Sequence, residues 1–149
     1  MDIIEKILSG IDGGRVLDVA TQEGHFTQSL MKDLKSYTKI VGIDTNQAAI
    51  RSAQSTYGWN DVNFLVMDAE RLSFEDKVFD TVTISASLHH LTNIPRVLKE
   101  MVRVLKPGGH FMIVEMHRDG PTEATLTSVY LHEWVAEVDR TLGILHNQT

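Results

Sequence analysis

The chain has 149 residues, 42% of them hydrophobic and 23% charged, and a formal net charge of −6 at pH 7. That length suits one domain over residues 1–149, and no apolar run reaches the roughly 18 residues that a membrane helix needs. An acidic chain without a Lys/Arg cluster is not expected to bind nucleic acid. The absence of cysteine excludes disulfides and thiolate metal sites, and it favours a cytoplasmic protein.

A short amphipathic helix is predicted over residues 1–10, because its isoleucines and Leu8 recur at helical spacing before Gly10. A short apolar strand follows, with Asp18 near its end, then a turn containing Gly24 and a helix that begins near His25. A parallel strand that runs into a helix N-terminus presents backbone N–H groups to a ligand. Dinucleotide sites of dehydrogenases use Gly-x-Gly-x-x-Gly there and lack a carboxylate on this strand. Asp18 instead suits a ligand with a positively charged amino group.

Four more strands are predicted, and polar residues follow the ends of three of them. The second ends in Asp44, the third in Asp68 and the fourth in Ser85, while a fifth strand begins at His110 after a Pro-Gly-Gly turn. Helical patterns alternate with these strands, which is typical of a doubly wound α/β fold. Ligands of such folds bind beyond the carboxyl ends of the strands. The three aspartates are therefore expected to line one crevice.

The last part of the chain predicts one long helix over residues 121–145, since apolar side chains recur there every four residues. The predicted core covers residues 15–116 and has the parallel strand order 3-2-1-4-5. The fifth strand would then form an exposed edge, which favours pairing with another chain. We therefore expect a homo-oligomer that forms through this edge or through the C-terminal helix.

These motifs resemble those of class I S-adenosylmethionine-dependent methyltransferases, of the small-molecule kind called type 11. The resemblance runs from about Arg15 to Glu115. The first family motif commonly reads Val-Leu-Asp-(Val/Leu)-Gly-Cys-Gly-x-Gly, and this chain reads Asp18-Val-Ala-Thr-Gln-Glu-Gly24. The main departure is Gln22, where the family prefers glycine. Full-length members usually continue into strands six and seven, for which this sequence shows no pattern.

The resemblance implies S-adenosylmethionine as cofactor and a role for each matching residue in the first motif. Asp18 would help to hold the amino group of the cofactor, through the loop or a water molecule. The backbone at Ala20 and Gly24 would border its carboxypropyl chain. The Gln22 side chain would stand where the backbone should approach the methionine part, so it is expected to obstruct binding.

Later positions are assigned in the same way. Asp44 would bind both ribose hydroxyls, with Thr45 or Asn46 beside the sugar. Asp68 would accept a hydrogen bond from the adenine amino group, and the Ala69 N–H would donate to a ring nitrogen. Purely structural roles remain as alternatives, because Asp44 could cap a helix and Asp68 could cap the turn that follows it.

The expected reaction is transfer of the sulfonium methyl group to a small-molecule acceptor by in-line displacement. Ser85 would offer its backbone carbonyl to the cofactor ammonium. His89 and His90 belong to a Leu-His-His-Leu turn common in this group; either could be a general base, although packing is the more ordinary role, and Glu115 is a further candidate. No metal site is expected. Two alternatives remain: a SAM-binding module or partner subunit without activity, and a nucleotide-binding dehydrogenase.

Overall fold

The computed structural model of the protein describes residues 2–115. Five strands form one sheet in the order β3-β2-β1-β4-β5, and all four neighbouring pairs are parallel. The strands are β1 (Arg15–Val19), β2 (Lys39–Asp44), β3 (Val62–Val66), β4 (Phe79–Ser85) and β5 (Leu105–Val114). The predicted α/β fold class and strand order are thus confirmed. The predicted helix over 121–145 lies outside the described residues.

Helices connect the strands as the periodicity predicts. They are α1 (Ile3–Leu8), α2 (His25–Asp33), α3 (Gln47–Tyr57) and α4 (Ile94–Val104), with a single 3-10 turn at Leu88–His90. Asparagine caps begin two of them. The Asn46 side chain accepts hydrogen bonds from two backbone amides of the first turn of α3, and Asn93 accepts one in α4.

The start of β5 differs from the prediction. The sequence treats the Pro-Gly-Gly segment as a turn before the strand, whereas β5 already begins at Leu105. Leu105 pairs with Phe79, and the next pair joins His110 to Thr81. A step of two residues on β4 therefore matches a step of five on β5, so the segment bulges out of the ladder. Gly108, at a φ of 77°, lies in this bulge with open space around it.

Two apolar layers cover the two faces of the sheet. The larger packs α4 against one face, with Leu98, Met101 and Val104 buried on the strands. The other packs α1, α2 and α3 against the opposite face, with Leu8 and Leu30 fully buried. Because helices cover both faces of the central strands, ligands of such a fold bind beyond the carboxyl ends of the strands. Among residues 2–115 no helix is both long and apolar enough to cross a membrane.

Candidate functional site

A cleft of about 200 Å³ opens at the carboxyl end of the sheet. It brings together six of the residues predicted from the sequence to form the site: Ala20, Asp44, Thr45, Asp68, Ala69 and His90. Its remaining wall is largely apolar, with Ile43, Met67, Leu91 and Val97 on it. An apolar wall with a few carboxylates at its rim suits a nucleoside, whose base is flat and whose sugar carries hydroxyls.

Asp44 is held in place by the backbone on either side of it. Its Oδ2 accepts a hydrogen bond of 2.9 Å from the Gln22 N–H, and its Oδ1 accepts one of 2.8 Å from the Asn46 N–H. A carboxylate oxygen has a second lone pair for a further donor. The Asp44 carboxylate is therefore fixed at the rim and can still accept hydrogen bonds from two adjacent hydroxyls.

Asp68 has the two features that the sequence left as alternatives. Its Oδ1 accepts a hydrogen bond of 2.9 Å from the Glu70 N–H, so it caps the turn after β3. The same residue lines the cleft, next to Ala69. The cap orients the carboxylate at the cleft wall, beside the end of β2 that carries Asp44. Capping and a place in the site are thus compatible at this position.

Asp18 does not line the cleft, which corrects the expectation that all three aspartates share its rim. Its side chain is 1% exposed and lies beneath the loop that follows β1. Oδ2 accepts 2.7 Å hydrogen bonds from the hydroxyls of Thr21 and Thr27, and Oδ1 accepts one of 3.0 Å from Thr83. Burial raises the pKa of the Asp18 carboxyl, although these hydroxyl donors oppose the shift. Any influence of Asp18 on a ligand must act through the loop that it braces.

The loop between β1 and α2 is held in an unusual backbone conformation. Ala20, Gln22 and Gly24 all have positive φ, at 54°, 51° and 84°. Only glycine adopts this region without cost. A Cβ at Gly24 would also lie 3.0 Å from the Tyr57 ring, so a side chain there would be crowded as well as conformationally strained. Non-glycine residues with positive φ are often found at ligand sites.

The far side of the site contains both predicted histidines. The rings of His89 and His90 are in contact, with centroids 4.0 Å apart and planes tilted by 47°, and His90 alone of the two lines the cleft. His89 Nδ1 lies 3.2 Å from Glu115 Oε2, while Glu115 Oε1 accepts a hydrogen bond from the Leu88 N–H. Glu115 thus orients the His89 ring, which lies next to His90 and outside the lining of the cleft. This is the arrangement of a base held by a carboxylate.

Sequence reasoning did not assign Glu70 and Thr92, which line the cleft, or Ser87, which lies beside it. Ser87 is 2% exposed, and its hydroxyl lies between the strand ends that carry Ala20 and Ser85. It also accepts a hydrogen bond of 3.2 Å from the Gln22 side-chain amide. A serine just beyond a strand has no distinctive spacing, so no sequence signal could have identified it.

A family model described as "Methyltransferase domain" matches residues 17–113. The Ubiquinone/menaquinone biosynthesis C-methyltransferase UbiE of Idiomarina loihiensis is 34% identical over 127 residues, which are 82% of this chain and 50% of that protein. The 2-phytyl-1,4-naphtoquinone methyltransferase of Synechococcus elongatus is 35% identical over 129 residues, 83% of this chain and 55% of that protein. The chain therefore spans about half the length of these relatives.

Solved structures give the same fold. A SAM-dependent methyltransferase from Aquifex aeolicus superposes with a TM-score of 0.73 over 95% of this chain and 79% of that one, at 23% identity. YcgJ from Bacillus subtilis superposes with a TM-score of 0.67 at 26% identity, over 93% of this chain and 56% of that one. The predicted cofactor, S-adenosylmethionine, is confirmed at the level of the family. With a family model over most of its length and relatives above 30% identity, the chain belongs to the methyltransferase domain family.

Proposed function

We propose that this protein transfers a methyl group from S-adenosylmethionine to a small-molecule acceptor. The observation that supports this most is the cleft itself, in which Asp44, Asp68 and His90 meet at the carboxyl end of the sheet beside an apolar wall. The cofactor supplies a methyl group that is already activated, so the protein has to align it with the acceptor and keep water out.

The nucleoside half of the cofactor fits the described residues. Asp44 would hold the ribose hydroxyls, and Thr45 lies beside it at the rim of the cleft. Asp68 and the Ala69 backbone would bind the adenine edge, while Met67 and Leu91 contribute apolar wall. The amino-acid half would lie toward the loop after β1, where Ala20, Gln22 and Gly24 were assigned from the sequence. Asp18 would act there indirectly, by holding the loop through its hydrogen bond with Thr21.

The molecule that accepts the methyl group would bind next to His89 and His90. An acceptor with an acidic proton needs little help, whereas a neutral hydroxyl needs a base. His89, oriented by Glu115, and His90, on the cleft wall, are the candidates for that base. The relatives from Idiomarina and Synechococcus are named for quinone substrates, so we propose quinone precursors as the first acceptors to test.

A second function is kept because of one observation. One structural neighbour, the [4+2]-cyclase SpnF, superposes with a TM-score of 0.69 at 26% identity although its name describes a cyclisation. The same fold can therefore serve a protein named for another reaction. On this alternative, the chain is a SAM-binding module or partner subunit without methyl transfer.

Binding and turnover separate the two functions. Calorimetry with S-adenosylhomocysteine measures binding, and transfer of a labelled methyl group to quinone precursors or a metabolite extract measures turnover. We expect both, and we expect Asp44→Ala to weaken binding by roughly 1–3 kcal/mol, because it removes the carboxylate that would accept hydrogen bonds from the ribose. Asp12→Ala is the matched control: this carboxylate is also hydrogen-bonded, but it precedes β1 at the opposite end of the sheet.

Each outcome has a clear meaning. Binding without transfer would favour the inactive module. Unchanged affinity in Asp44→Ala would remove the ribose assignment, and preferential binding of NAD would restore the dehydrogenase reading. The single-domain organisation, the cytoplasmic location, the lack of a nucleic-acid partner and the homo-oligomer remain proposals that rest on composition and on the edge of β5.

A further inference from the structure

The ends of β1 and β4 separate at the point where the strand order of the sheet reverses. Their last paired residues are Val19 and Ile84, so Ala20 and Ser85 are the first residues beyond the pairing. A gap of this kind is where ligands bind in open α/β sheets. Here the gap is filled from within by the side chain of Ser87.

The Ser87 hydroxyl has one proton to donate but lies within hydrogen-bond distance of two carbonyl oxygens. Its Oγ lies 2.8 Å from the Ser85 carbonyl oxygen and 3.2 Å from the Ala20 carbonyl oxygen. A hydroxyl donates one proton, whereas an ammonium group donates three. Two carbonyl oxygens that converge on one position therefore satisfy an ammonium group better than they satisfy a serine. The gap has the acceptor geometry of an ammonium site, and Ser87 occupies it.

Gln22 ties this serine to the loop after β1. Its Nε2 donates a hydrogen bond of 3.2 Å to Ser87 Oγ, so one side chain bridges the ends of β1 and β4. The backbone supports the bridge at a cost, because Gln22 and Ala86 both have positive φ, at 51° and 47°. We call the Gln22–Ser87 contact the latch.

We propose that the latch covers the amino-acid end of the cofactor site and sets the preference of the protein between nucleosides with and without an amino-acid tail. This inference rests on the proposed function, since it names the residues that compete with the cofactor ammonium. A ligand with the tail must break the Gln22–Ser87 bond and displace the serine proton from the two carbonyls. A ligand that ends at the thioether leaves the latch closed.

The test compares two ligands on the full 149-residue chain by calorimetry. S-adenosylhomocysteine has the amino-acid tail, and 5′-methylthioadenosine lacks it. Ser87→Ala removes the competing hydroxyl. Gln22→Asn shortens the bridge by one methylene and keeps an amide residue that tolerates positive φ. Both variants should bind S-adenosylhomocysteine roughly three- to tenfold more tightly, the equivalent of one lost internal hydrogen bond, with no change for 5′-methylthioadenosine.

Ser73→Ala is the control for the loss of an exposed hydroxyl, and it should change neither constant. Weaker binding of S-adenosylhomocysteine by the latch variants would overturn the inference, since Gln22 and Ser87 would then be direct contacts of the tail. Equal tightening of both ligands, or no change, would overturn it as well. If the unmodified chain bound neither ligand, the proposed function itself would fail. If the unmodified chain binds S-adenosylhomocysteine but Ser87→Ala and Gln22→Asn do not bind it more tightly, the latch proposal fails and the proposed function stands.

Discussion

At the scale of single residues, Asp18 shows how a carboxylate can shape a site that it does not touch. Three threonine hydroxyls surround it, and two of them, Thr21 and Thr27, lie on the loop and on α2. A buried charge is costly unless donors satisfy it. The carboxylate therefore joins β1, the loop and the first turn of α2 around one acceptor, which fixes the loop whose backbone borders the cleft.

The raised pKa of Asp18 gives a prediction about stability and pH. Because burial raises the folded-state pKa above its value of 3.8 in the unfolded chain, the folded state holds the proton more tightly. The contribution of Asp18 to the free energy of unfolding is therefore most favourable below pH 3.8, and it is lost as the pH rises through the folded-state pKa. Asp18→Asn cannot ionise, so its stability relative to the unmodified protein should increase as the pH is raised from about 4. Urea unfolding at a series of pH values measures this difference.

Asp18→Ala is the companion variant, since it leaves the threonine hydroxyls without their acceptor. We expect it to be about 2 kcal/mol less stable than Asp18→Asn at every pH, because neither variant can ionise at this position. A pH-independent gap between Asp18→Asn and the unmodified protein would contradict the assignment of the pKa shift. So would a gap that grows in favour of the aspartate as the pH rises.

Residues at strand ends could be predicted where the chain direction fixes their place. Asp44 ends a strand that must be parallel, so the carboxyl end of the sheet was the only position for it. Asp18 could not be placed in the same way, because the sequence does not tell whether a side chain points up to the rim or down among threonines. The contact between Gln22 and Ser87 joins residues 65 positions apart, and no local pattern encodes it.

At the scale of elements, α4 organises the chain between β3 and β4. Arg103 on this helix donates to the carbonyl oxygens of Leu72 and Phe74, at 3.0 and 2.8 Å, and it pairs with Glu100 and Asp76. Glu100 in turn accepts a hydrogen bond from the Leu72 N–H. Hydrogen bonds to these carboxylates raise the pKa of the Arg103 guanidinium, which stays charged. The segment after Asp68 is thus fixed to α4 through both the backbone N–H and the backbone carbonyl of Leu72.

Arg103→Leu should therefore destabilise the protein by about 2–3 kcal/mol, because two backbone carbonyls lose a charged donor. Denaturant unfolding measures the loss, and amide exchange at Leu72 should become faster than in the unmodified protein. Asp76→Ala is the matched control. Its carboxylate is 69% exposed, so we expect less than about 1 kcal/mol. An equal effect of the two variants would show that the surface ion pair, and not the backbone contacts, stabilises this segment.

Elements were predicted more reliably than their limits. The five strands and four helices follow from alternating apolar runs and helical spacing, and the asparagine caps mark where α3 and α4 begin. The predicted start of β5 was wrong because Pro107 and Gly108 are typical of turns. A bulge within a strand uses the same residue types as a turn, so the sequence does not distinguish the two. Pairing with β4 decides between the two, and that pairing is a tertiary contact.

At the scale of the whole molecule, the two edges of the sheet differ. The β3 edge is partly closed, because Trp59 and Val62 exchange backbone hydrogen bonds and the Gln54 side chain accepts one from the Phe64 N–H. Such coverage is a common protection against pairing with another chain. On the far side of β5, no further strand is present within residues 2–115. The asymmetry makes β5 the edge at which self-association is expected.

The geometry of β5 makes this expectation testable. The Val114 carbonyl accepts a hydrogen bond of 2.7 Å from the Ala86 N–H, so Val114 faces β4 and the backbone of its neighbour Ile113 faces away. Size-exclusion chromatography with light scattering should give at least twice the mass of one chain. Ile113→Pro removes the outward N–H and should shift the protein to a monomer, since proline is tolerated on the open side of an edge strand. Ile113→Val keeps that N–H and should remain associated, whereas a monomeric unmodified chain would contradict pairing at this edge.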